Sequence, residues 1–136
     1  MEAIRDYALS LGWVVCFLLL AVLARFGFDL ITPISLREAS AQRNAAVGRV
    51  LRGLYIGLAI ILSAAIYSTH NIAIALRDGA AGIVLMLLLF KVYDLVDPRD
   101  FDRELREGNS MLGMELEGLF ILLSALIVGA LNYLGS

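Results

Sequence analysis

Three pairs of opposite charges are the first candidates for chemistry in this chain. Arg25 with Asp29 and Lys91 with Asp94 are spaced to share one face of a helix and close an ion pair along it. Arg52 and Glu117 lie far apart in sequence but fall at matching places in a repeat described below. All six sit in or beside apolar stretches, where an unpaired charge costs at least about 2.5–3.5 kcal/mol near a bilayer centre. Such groups therefore pair, snorkel to the interface or line a polar path. Asn44 and Asn109 offer a second kind of chemistry, because asparagine accepts the free N–H groups of a helix start. Alternatively they line a shared cavity, where two converging positive helix ends would attract an anion. Catalysis is not expected. With one histidine (His70) and one cysteine (Cys16), a metal site built from several such ligands cannot form in one chain. Glu115 and Glu117 could do acid–base work, but no nucleophile or phosphate-binding loop accompanies them. No cofactor is expected either.

The elements that must hold these groups are long apolar helices. Sixty per cent of residues are apolar and the mean hydropathy is +0.84. Residues 7–24, 53–76 and 118–136 contain no Asp, Glu, Lys or Arg, and each run is about long enough to cross some 30 Å of hydrocarbon. A fourth stretch, 79–96, is broken only by Lys91 and Asp94. A soluble bundle would keep polar outer faces that these runs lack. The net charge of −2 leaves no nucleic-acid footprint. The start of the chain has no basic cluster before its first apolar run, so a retained helix is expected rather than a cleaved signal.

Those helices come in two copies at an offset of 65. Asp29-Leu-Ile-Thr-Pro33, Asn44, Gly48 and Gly53-Leu-Tyr-Ile56 recur as Asp94-Leu-Val-Asp-Pro98, Asn109, Gly113 and Gly118-Leu-Phe-Ile121. The pattern predicts an all-α polytopic membrane protein in a single membrane domain, 1–136. Four transmembrane helices, roughly 8–31, 49–69, 75–96 and 113–134, form two parallel two-helix repeats, about 8–69 and 75–134. Nine of the basic residues fall on the side of the two long links and only Arg5 and Arg77 on the other, which predicts cytoplasmic links and external termini. Pro33 and Pro98 should end the helices before the links. Residues 35–43 and 99–107 then form short amphipathic helices at the lipid surface, or else solvated loops. Gly48, Gly53, Gly57, Gly113 and Gly118 are expected to let helices pack closely, Gly53 and Gly57 as a small-residue pair. Arg52 stands where the second copy has Glu117, and near a pseudo-twofold axis these opposite charges should bridge the second and fourth helices; Arg49 lies near the register of Glu115.

Asn44-Ala-Ala-Val-Gly48 through Leu62-Ser63-Ala64, and Gly108-Asn109 through Gly113 to Leu123-Ser124-Ala125, resemble a bacterial inner-membrane family called domain of unknown function 350. The resemblance spans nearly the whole chain, although the second copy reads Asn109-Ser-Met-Leu where the family pattern has Asn-Ala-Ala. It implies a four-helix protein of the bacterial plasma membrane without established catalytic activity, often neighbouring envelope-stress, phage-shock-type or polyamine-related systems. Two functions fit. The chain self-associates as a homo-oligomer in the lipid bilayer and forms a channel or small transporter. Alternatively it is a scaffold that docks a soluble cytoplasmic partner through the links 32–45 and 97–110.

Overall fold

The computed structural model describes residues 2–32 and 36–135, and their side chains except at 36–37 and 133–135. Four long helices, α1 (Glu2–Ile31), α3 (Ala45–Ser68), α4 (Ile72–Val96) and α6 (Ser110–Gly135), alternate with two short ones, α2 (Leu36–Ala41) and α5 (Phe101–Arg106). All four long helices are long and apolar enough to cross a membrane, with mean hydropathies of 1.9 to 2.4 in their most apolar stretches. The short helices lie within the two expected surface segments. Pro33, the expected stop of the first helix, is outside the described residues; α4 does end at Val96, just before Asp97 and Pro98.

The long helices begin earlier than hydropathy alone predicts, at residues 2, 45, 72 and 110. At three of these starts an asparagine supplies the cap. Asn44 Oδ1 accepts from the N–H of Ala46 and Val47, Asn71 Oδ1 from Ala73 and Ile74, and Asn109 Oδ1 from Leu112. Each cap satisfies donors that would otherwise be orphaned at a helix start, worth about 1 kcal/mol apiece.

The joints between short and long helices are the same structure twice. Asn44 N–H bonds the carbonyl of Ala39 and Arg43 N–H that of Ser40; 65 residues on, Asn109 bonds Glu104 and Gly108 bonds Leu105, all at 2.9–3.1 Å. This crossed pair of bonds is a Schellman closure, which needs a left-handed residue just past the helix. That residue is Arg43 (φ 52°) in one copy and Gly108 (φ 83°) in the other. The same asparagine thus closes the short helix and opens the long one.

Packing centres on α3, α4 and α6. α3 and α6 run side by side with almost no side chain between them. A Cβ added at Gly53 would lie 2.6 Å from Glu117 Cα, and one at Gly113 would lie 2.6 Å from the Ala46 carbonyl oxygen. Close backbone approach of this kind replaces the hydrophobic effect as the source of helix association in lipid. Leu54, Met86, Leu116 and Phe120 are fully buried in the resulting core. Phe90 stacks on Phe120 with centroids 4.5 Å apart, and Phe28 of α1 reaches both rings, at 5.8 and 5.9 Å. α1 packs chiefly along α4 and is otherwise open: 11% of its most apolar stretch is buried, against 33% for α4. Apolar side chains such as Leu18, Leu19 and Phe26 face outward from it, as lipid-exposed residues do.

Candidate functional site

On the side of the two links, the charged groups of α1 and α4 tie helices together as well as pairing along their own. Lys91 Nζ donates to Asp94 Oδ2 at 3.3 Å and to the Ile31 carbonyl at 2.9 Å, capping the C-terminal end of α1. Arg25 lies 3.7 Å from Asp29 and also donates through Nη1 to the Tyr55 hydroxyl of α3 at 2.6 Å. Its guanidinium sits 6.0 Å from the Tyr55 ring centroid, within reach of a cation–π attraction. Neither Tyr55 nor the Ile31 carbonyl was foreseeable, because the spacing rule finds partners only along one helix.

Arg52 and Glu117 form a bidentate ion pair across the α3–α6 contact, Nε to Oε2 and Nη2 to Oε1, the latter at 3.1 Å. Seven residues past each helix start place the pair about 10 Å into the spanning segment. There a two-point, charge-assisted contact offsets much of the cost of bringing charge below the surface. Glu115 does not meet Arg49. It accepts from Arg99 at 2.8 and 3.1 Å, with the Tyr93 hydroxyl at 3.4 Å.

Arg99 is the residue sequence reasoning missed. Its backbone N–H and Nε both donate to Asp97 Oδ1 at 2.9 Å, its Nη2 to Asp97 Oδ2 at 2.7 Å, and its guanidinium lies 5.6 Å from the Phe101 ring centroid. Hydrogen bonds from the Arg99 side chain and backbone hold the Asp97 carboxyl down to about 2, below the ordinary 3.8. The same bonds, with those to Glu115, raise the Arg99 guanidinium. Residue 34 is isoleucine where the second copy has Arg99, so the repeat gave no signal.

Of these groups Lys91, Asp94 and Arg99 line a cavity of about 210 Å³, while Arg25, Asp29, Arg52, Glu115 and Glu117 lie outside it. Lys91, Asp94, Arg99 and Asp102 form its polar wall, and Phe28, Phe90 and Phe101 its apolar floor. A larger opening of about 660 Å³ lies at the other end of the α3–α4–α6 bundle, lined by Ser68, Arg77, Asp78 and Asn132 among apolar residues. Between the two, Met86, Phe90 and Phe120 are packed shut. Neither Asn44 nor Asn109 lines these cavities. Asn44 instead spends its amide on the Leu105 carbonyl at 2.7 Å, tying α3 to the end of α5. Of the five glycines expected to pack, Gly53, Gly57 and Gly113 do; a Cβ at Gly48 or Gly118 would meet nothing within 4 Å in the chain.

Residues 3–131 match the family described as Domain of Unknown Function (DUF350). The chain belongs to the DUF350 family. No curated protein and no solved structure matches this DUF350 chain. Among the described residues no group of three or more His, Cys, Asp or Glu side chains is placed to hold a metal ion.

Proposed function

We propose that this DUF350 chain is a non-catalytic integral protein of the bacterial plasma membrane that self-associates and moves a small polar solute across the bilayer. The observation that carries the reading is the pair of cavities at opposite ends of one bundle, each with charged residues in a largely apolar lining, separated by the stacked Phe90 and Phe120 rings. A packed aromatic constriction between two openings is what a closed gate requires, since apolar necks block ions by dewetting. The excess of basic residues on the link side favours a cytoplasmic position for the Lys91–Asp94–Arg99 cavity and an external one for the termini. Mixed charge in that cavity suits a small zwitterion or a paired ion better than a bare anion.

The test is flux through purified protein in liposomes. Phe120→Ala should raise leak about tenfold or more, and Lys91→Gln with Asp94→Asn should abolish solute selectivity. Vesicles that remain tight to every small ion and amino acid tried, with both wild type and Phe120→Ala, overturn the reading. A scaffold role is the second reading, supported by the exposed Arg103 and Arg106 of α5 and Glu107 just after it. Reversing the charges of Arg103, Arg106 and Glu107, none of which lines the cavity, would then remove function while the assembly persists.

A further inference from the structure

The α3–α6 contact joins unlike faces of two duplicated helices. α3 offers Gly53 and Gly57; α6 answers with Gly113, the Glu117 backbone, Phe120 and Ser124. Shifting each face by 65 identifies its twin on the other helix. The twin of the α3 face is Met111, Gly118 and Leu122 on α6, with Met111 matching Ala46. The twin of the α6 face is Gly48, Arg52 and Tyr55 on α3. Every one of these residues is exposed, Met111 at 71% and Leu122 at 55%. The two open faces lie on roughly opposite sides of the four-helix unit, and contacts between unlike faces can be repeated from copy to copy.

We infer that a second copy of this chain docks the Gly48–Arg52–Tyr55 face of its α3 onto the Met111–Gly118–Leu122 face of α6, repeating head to tail the contact that already joins the two repeats. The inference rests on the self-association part of the function proposed above. Charge supports it independently. Arg52 is bound to Glu117 yet its side chain stays 59% exposed, free to meet a second carboxylate. A row of repeats carries Arg, Glu, Arg, Glu at this level, so the contact between chains is attractive like the one within; one sign in both copies would repel at every step. The exposure of α1 supports it too. α4 packs across the repeat boundary on α3, with Gly79 against Leu62 and Gly82 against Ile61. The same step taken from α6 leads to α1 of the next copy, the helix left most open in the single chain. Leu122 replaces the Gly57 of the template, so the new contact is closest near the links and wider beyond them.

Cysteine pairs in a Cys16→Ala background test the docking in lipid nanodiscs. Gly48→Cys and Met111→Cys, purified separately and reconstituted together, should give a disulfide dimer on oxidation. Each alone should not, because an unlike-face contact never brings a position against itself. The double variant Gly48→Cys/Met111→Cys should give a ladder whose top rung counts the subunits. Gly118→Leu, which meets nothing in its own chain, should reduce the native mass to that of one chain with helix content unchanged. Cross-linking of either single variant, or a multimeric native mass with no mixed cross-link and no response to Gly118→Leu, overturns the docking and leaves self-association standing. A single-chain mass for the unmodified protein in lipid overturns both.

Discussion

Arg43 and Gly108 hold the same left-handed backbone position in the two copies, and only glycine holds it without strain. The left-handed conformation costs a non-glycine residue about 1–2 kcal/mol, partly recovered because glycine is freer in the unfolded chain. Arg43→Gly should therefore raise stability by up to about 1 kcal/mol, and Gly108→Arg should lower it by about 1–2 kcal/mol, both read as shifts in thermal unfolding in detergent micelles. A second prediction concerns Asp97. Its carboxyl is depressed in the folded protein, so its stabilising effect is complete above its ordinary value of 3.8 and is lost as pH falls through about 2. Melting should thus be insensitive to this pair near neutral pH and weaken between about pH 4 and about pH 2. Arg99→Gln should return Asp97 toward 3.8 in a carboxyl carbon NMR titration; an unmoved midpoint would show that Arg99 is not the cause. At this scale the caps at Asn44 and Asn109 were legible from type and position, whereas the cap at Asn71 was not. Arg99 was not, because its partners Asp97 and Glu115 come from a turn and a distant helix that no periodicity links.

Helices were legible as objects and less so as surfaces. The apolar runs revealed four spans, but their starts were read three to six residues late, since hydropathy registers neither a capping asparagine nor the charged opening turn of α1. The duplication also encouraged a symmetric picture of α3 against α6. In the structure Gly113 meets backbone while its twin Gly48 meets nothing, and Gly53 meets backbone while Gly118 does not. Sequence identity between the copies cannot show which face each helix turns inward, because that is fixed by the neighbours it finds. The difference is measurable by substitutions that look equivalent. Gly48→Ala should be neutral or stabilising by up to about 1 kcal/mol through helix propensity. Gly113→Ala should destabilise by about 1–3 kcal/mol, because its methyl must push α3 away. Equal effects on unfolding in micelles would mean that the two helices do not pack as described.

For the whole molecule, four helices of membrane-spanning length and the doubled plan were readable from composition and register, whereas the closed interior was not. The Phe28, Phe90 and Phe120 cluster draws on three helices and follows no pattern in the chain. The Arg52–Glu117 pair makes the joining of the two halves testable. Arg52→Glu or Glu117→Arg alone places two like charges side by side and should cost several-fold in yield and lower the melting temperature. The double exchange should restore both, and a double variant no better than the singles would remove the pair from the account. One joint has a mechanical outcome. Since Asn44 and Asn109 each end one helix and start the next, the elbow has no slack. Tilting a surface helix must therefore swing the rod attached to it. A rotation imposed on α2 or α5 is thereby passed as torque to α3 and α6, the two rods that grip each other most tightly.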